Sequence, residues 1–215
     1  MPDIHLDLTV IAFGSAQGDL RAHLDPMRLP QDIRRLKVQI KPVIPLEILS
    51  AGAIKEFAQE HVIAMRDDMK FSAPWYCEYC EKPARETSVC MTEHPHFSNP
   101  KATVEFHLVC DAGSGDCAAI PRRLTEMRAG LAGAPANVSA PSRRARPGEF
   151  PLAASCISCK REETGNPDAR LMRCGGCKIV RYCSAECQRT DWRRHKTFCR
   201  MEKEVTWLWS DAERA

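Results

Sequence analysis

Apolar and polar residues alternate from Ile4 to Ala12, with Ile4, Leu6, Leu8, Val10 and Ala12 on one side and His5, Asp7 and Thr9 on the other, which predicts a half-buried strand. Leu36, Val38 and Ile40 repeat the pattern until Pro42 interrupts it, predicting a second strand at a sheet edge that pairs with the first. After Ser50, a candidate helix cap, the period lengthens. Ile54, Phe57, Ala58, His61, Val62 and Met65 then form one stripe of an amphipathic helix ending before Pro74. His61 sits on that stripe and is expected to be a hydrogen-bonded boundary residue without a functional role. Val104, Phe106 and Leu108, alternating with Glu105 and His107, predict a further strand that delivers Cys110.

From Arg128 to Pro151 the periodicity disappears into Ala, Gly, Pro and Ser, the composition of a flexible or extended tether. Arg143, Arg144 and Arg146 make a basic run there, shorter than the usual basic motif and read as solvated linker. Past Cys199, Met201, Val205 and Leu208 keep a helical spacing and, with Trp207 and Trp209, predict a helical tail that packs back on the protein. The expected organisation is therefore α+β: a mixed α/β N-terminal domain over 1–127, a linker over 128–151, a small metal-built unit over 152–202 and a tail over 203–215.

Composition narrows the function classes. The apolar fraction of 44% suffices for a core, and a formal charge of +3 is too small to demand a nucleic-acid partner. No stretch approaches the roughly 18 apolar residues a membrane span needs, and no export signal opens the chain, so a soluble intracellular protein, cytoplasmic or nuclear, is expected. Twelve cysteines would suit a disulfide scaffold only in an oxidising compartment. Their ordered pairing favours metal instead.

Four donor pairs lie between Cys156 and Cys199: Cys156 with Cys159, Cys174 with Cys177, Cys183 with Cys187, and His195 with Cys199. Pairs two or three residues apart suit tetrahedral zinc, because one tight turn aims both donors at an ion about 2.3 Å from each sulfur. Two Zn2+ ions are the expected load. Four pairs can be shared between two ions in three ways, and spacing does not choose among them. A third site is expected from Cys77, Cys80, Cys110 and Cys117. His107, three residues before Cys110, could replace Cys117 there, although in a regular strand it faces away from Cys110. Cys90, His94 and His96 lie in a polar stretch read as solvated loop.

The ligand order, with Tyr182 before Cys183, Gln188 after Cys187, and Trp192 and Lys196 around His195, resembles the MYND-type zinc finger. The N-terminal part is more loosely similar to uncharacterised fungal proteins carrying such a finger. The resemblance implies that Cys156, Cys159, Cys183 and Cys187 share one zinc and Cys174, Cys177, His195 and Cys199 the other. It also implies that Gln188 and Trp192, four apart and so on one face of a helix that Ser184 would cap, line a shallow groove for short proline-rich peptides of the PxLxP type. The residues from Cys156 to Cys199 carry a formal +5, and seven thiolates with two Zn2+ reduce this to about +2, too little for a strongly basic nucleic-acid face. The reading is a non-enzymatic adaptor or transcription-related regulator. A nucleic-acid-associated regulator is the alternative, with a remnant of a SET/MYND lysine methyltransferase behind it.

Overall fold

The computed structural model describes residues 4–15, 34–45, 51–80, 82–94, 100–113, 115–132, 150–166 and 168–208. The first strand, β1 (Asp7–Gly14), alternates half-buried and buried positions along its length, as its sequence pattern requires. It pairs antiparallel with β2 (Arg34–Ile40), Val10 opposite Val38, so the expected partnership is present. On its other side β1 runs parallel to β4 (Lys101–Val109), which forms an antiparallel pair with β3 (Glu86–His94). Helix α1 (Ala51–Lys70) makes the crossover and buries Ala58, Val62, Met65 and Met69 in the core. His61, half-buried, has its Nδ1 2.9 Å from the carbonyl of Phe57 and keeps the local role expected of it.

The sheet has a fifth strand. Lys203–Trp207 (β7) lies antiparallel to β2, giving the order β3-β4-β1-β2-β7. The expected helical tail is thus a strand over these residues, and β2 is an interior strand rather than an edge. The cause is tertiary. Val205 fits both a helical and an alternating pattern, and β-branched Val205 and Thr206 are better strand than helix formers. The open edge of β2 offers ladder hydrogen bonds that a surface helix would forgo, as when Leu208 N–H donates to the Arg35 carbonyl at 3.1 Å.

Other boundaries also move. Helix α2 (Asp116–Ala132) runs past Arg128, so the linker cannot begin there, and Cys117 sits in the helix's first turn. Cys90 and His94 belong to β3 rather than to a loop. Residues 133–149 of the tether with its three arginines, Ser50, His96 and Trp209 lie outside the described residues.

The C-terminal unit contains a two-stranded ribbon, β5 (Met172–Arg173) with β6 (Arg181–Tyr182), and helix α3 (Ala185–Arg200). Ser184 caps α3 by accepting the Cys187 N–H at 3.1 Å, as its position suggested. This unit is sewn to the N-terminal body. Ala153 N–H donates to the Ala84 carbonyl at 2.8 Å, Arg173 donates to the Ser72 carbonyl at 2.8 Å and stacks over Trp207, and Arg85 holds both the Phe150 carbonyl and Glu162. One buried core runs from Leu8 and Trp75 through Ile157 and Tyr182 to Phe198.

Where β1 ends, the backbone of Gly14 presses on the buried Trp75 ring. A Cβ at Gly14 would stand 2.5 Å from the indole Cε3, and the ring cannot swing away because it is 1% exposed and its Nε1 donates to Ser72 Oγ. Gly14→Ala should therefore lower stability by about 1–3 kcal/mol in urea unfolding, the usual cost of overpacking. A wild-type midpoint would show that the contact is soft.

Candidate metal centres

Each Cys-x-x-Cys knuckle of the C-terminal unit is closed by the lysine after it. Lys160 N–H donates to the Cys156 carbonyl at 2.9 Å and Lys178 N–H to the Cys174 carbonyl at 3.0 Å. Both lysines adopt left-handed backbone, φ 56° and 58°, a conformation costing a non-glycine residue about 1 kcal/mol or more and therefore held by its surroundings. The bend folds the two sulfurs of each pair toward a common point. Gly176 inside the second knuckle has no room for a side chain, since a Cβ there would lie 2.9 Å from Cys199 Sγ.

The donors converge in three sets: Cys156, Cys159, Cys183 and Cys187; Cys174, Cys177, His195 and Cys199; and Cys77, Cys80, Cys110 and Cys117, the ligand atoms of each set lying within 4.8 Å of one another. The first two sets reproduce the interleaved division of first with third and second with fourth pairs. Sulfur pairs are separated by 3.8 Å for Cys159 and Cys183, 3.5 Å for Cys183 and Cys187, and 3.7 Å for both Cys174–Cys199 and Cys80–Cys110. A tetrahedron with legs of about 2.3 Å has edges of about 3.8 Å, whereas a disulfide needs about 2.05 Å. All twelve cysteines are free thiols, so the chemistry of the donor sets suits zinc, and each of the three could hold one ion.

In the N-terminal set Cys77 and Cys80 come from the turn after Trp75, Cys110 from the end of β4 and Cys117 from α2. His107 takes no place among them. It points to the other side of β4, stacked on Phe13, with its Nδ1 2.7 Å from Glu78 and 3.1 Å from the Tyr79 hydroxyl. Burial disfavours its charge, but Glu105 and Glu78 outweigh that and raise it to about 9.

Electrostatics within the sets shows what a cation would relieve. Burial raises Cys110, and the neighbouring thiols Cys77 and Cys80 push it further, to about 12. Burial likewise leads the rise of Cys183 to about 12, followed by Cys187 and Cys156. Cys159 and Cys174 go the other way. Burial opposes their ionisation, but backbone N–H groups of the knuckles, from Arg161 for Cys159 and from Cys177 and Gly176 for Cys174, bring each down to about 7. A divalent ion supplies the countercharge the remaining thiolates need.

Two charged groups near the sets have partners that the sequence does not reveal, although Asp68 continues the apolar stripe of α1. Arg181, 6% exposed, lies close to Cys156 and donates to the Ala154 carbonyl at 3.0 Å. Burial, then the nearby Arg173, lowers its guanidinium to about 9, with Cys156 pulling the other way. A four-thiolate zinc carries about −2, which a buried arginine offsets. The other is Asp68 of α1, fully buried, with Oδ1 2.7 Å from His195 Nδ1 and both oxygens bound by Arg194 at 2.8 and 3.1 Å.

Gln188 and Trp192 lie one turn apart on α3, as their spacing implied. Gln188 is half-buried, its amide donating to Cys174 Sγ at 3.6 Å. Trp192 is 37% exposed, edge-on to the His195 ring and under the Arg200 guanidinium.

The family model for the MYND finger matches residues 156–199, the eight donors and the helix that bears Trp192. Residues 156–199 are a MYND finger. It is a protein-interaction module. The finger region is similar to curated proteins: 39% identity over 49 residues with SET domain and MYND-type zinc finger protein 6 of Schizosaccharomyces pombe, 23% of this chain and 9% of that protein. It is 49% identical over 35 residues to SET domain-containing protein 14 of Caenorhabditis elegans, 16% of this chain and 8% of that one. It is also 47% identical over 34 residues to Histone-lysine N-methyltransferase SMYD3 of Homo sapiens, again 16% of this chain and 8% of the relative. The chain thus spans less than a tenth of the length of these relatives. No solved structure matches. Among the described residues, no helix is long and apolar enough to cross a membrane.

Elemental analysis of the full-length protein should return three zinc per chain, and Cys110→Ser should return two. Two in the unmodified chain would leave the N-terminal cysteines as free thiols.

Proposed function

We propose that this protein is a non-enzymatic, zinc-built adaptor, a transcription-related regulator whose MYND finger binds short proline-containing peptides, PxLxP-like in pattern, at the face of α3 that carries Gln188 and Trp192. The observation that carries this reading is the exposure of Trp192 on a rigid helix anchored at both ends by metal-ligand candidates: Cys187 in its first turn, His195 and Cys199 in its last two. A half-exposed indole offers apolar area to a proline at little entropic cost, the usual anchor of such contacts.

The three donor sets act as structural zinc sites in this account: Cys156, Cys159, Cys183 and Cys187; Cys174, Cys177, His195 and Cys199; Cys77, Cys80, Cys110 and Cys117. Four protein donors fill each tetrahedron, which leaves no position for water or substrate and supports a binding role over catalysis. Gln188 does double duty, because the amide that would hydrogen-bond an extended peptide also steadies Cys174. Thiolate sites of this kind are kept by the reducing conditions of the cytoplasm or nucleus. The SET-protein relatives are matched in their fingers, so methyl transfer does not carry over with the similarity.

A peptide array probed with the zinc-loaded full-length chain should select proline-containing sequences. Trp192→Ala should weaken binding by about 10-fold or more, as loss of an aromatic anchor does, while zinc content stays at the wild-type value. Undiminished binding by Trp192→Ala, or release of zinc with it, would remove the groove. Affinity should change little between low and physiological salt, because a collapse by orders of magnitude would mark a phosphate-binding surface instead.

A further inference from the structure

His195 Nε2 faces the sulfurs of its set, 3.5 Å from Cys177 Sγ, while Nδ1 faces away from them toward α1. The group it meets there is the carboxylate of Asp68, 127 positions earlier in the chain, in a region no MYND match includes. Asp68 is 0% exposed and its two oxygens accept from three donors: His195 Nδ1–H at 2.7 Å and the Arg194 guanidinium at 2.8 and 3.1 Å. Arg194 also holds Asp191 at 2.8 Å through each of two nitrogens, and Asp191 accepts the Tyr182 hydroxyl at 2.8 Å. A carboxylate placed so accurately on one ring nitrogen fixes the tautomer, with the proton on Nδ1 and the lone pair on Nε2, where a metal would be bound.

We infer that Asp68 of the N-terminal domain is a positioning residue for the finger's Cys174–Cys177–His195–Cys199 zinc site, so that the finger of this protein borrows part of its metal centre from α1. The inference rests on the reading of that set as a zinc site and concerns how the site is held rather than what the finger binds. Three physical effects act together. The hydrogen bond orients the imidazole plane; the negative charge makes Nε2 a stronger donor; and the Arg194 pair satisfies the carboxylate so that burying it does not cost an unpaired charge. Asp67, next in the chain, serves a different contact, a half-exposed pair with Lys160 at 3.1 Å, and is the natural control.

The test follows zinc leaving the fully loaded, full-length chain for a chromophoric chelator, the three equivalents being resolved as separate phases. In Asp68→Asn, which keeps the shape and an acceptor oxygen but not the charge, one equivalent should leave about 10- to 100-fold faster, the usual effect of removing such a partner, and the other two at the wild-type rate. Asp67→Asn should leave release from the nitrogen-containing site at the wild-type rate. In a His195→Cys background, where no imidazole remains to be oriented, adding Asp68→Asn should leave all three rates unchanged. Cobalt substitution should show the same selectivity, with the ligand-field bands of the nitrogen-containing site alone altered by Asp68→Asn. Wild-type release from Asp68→Asn, equal acceleration of all three equivalents, or the same acceleration in the His195→Cys background would each overturn the assignment.

Discussion

Tetrahedral coordination is the constraint from which the finger's form follows. Four donors must meet at a point with edges near 3.8 Å, and a segment from Cys156 to Cys199 has too few apolar residues to organise itself without that demand. Structural zinc brings about 10–16 kcal/mol of apparent binding energy near neutral pH, more than a core of this size supplies. Every local oddity serves the convergence. The left-handed lysines after each knuckle, the glycine beside Cys199, the capped start of α3 and the buried Arg181 bring sulfurs together or offset their charge.

The finger does not stand apart from the rest. Its helix leads directly into β7, which completes the N-terminal sheet, and Lys203 at the start of that strand donates to the carbonyls of Phe198, Cys199 and Met201 at the end of α3. On the other side, α1 lends Asp68 to His195 and Asp67 to Lys160. The α3 face bearing Trp192 is thereby tied to the sheet as well as to the donor sets, and such rigidity would lower the entropic cost of the proposed peptide binding. The N-terminal domain is in this sense a support for the finger.

Much of this was legible in the residues, for reasons that differ by element. Donor spacing is dictated by coordination chemistry, so the metal sets could be read directly, and the MYND resemblance supplied the division between the two ions. Strands β1, β2 and β4 and helix α1 carry long, clean periods. Strand β3 does not: Val89 and Met91 alternate with Ser88 and Cys90, but the histidines and proline beyond them suggested loop. Helix α2 contains Pro121 and ends among glycines and alanines, which disguised its last turn as linker. Strand β7 is ambiguous in the residues because Val205 satisfies both periods, and what settles its form is the open edge of β2, formed more than 160 residues earlier. Asp68 continues α1's apolar stripe three residues after Met65, which marks it as inward-facing where Asp67 is not, but its partner is 127 residues away and cannot be read from α1's pattern.

Whether finger and N-terminal body form one folded unit joined by β7 and Asp68 is decided by cutting the chain between them. A protease site introduced among residues 133–149 would sever the covalent connection. The two pieces, cleaved under native conditions with zinc present, should co-elute on size exclusion at the mass of the intact chain. Separation into two independently eluting fragments would contradict it.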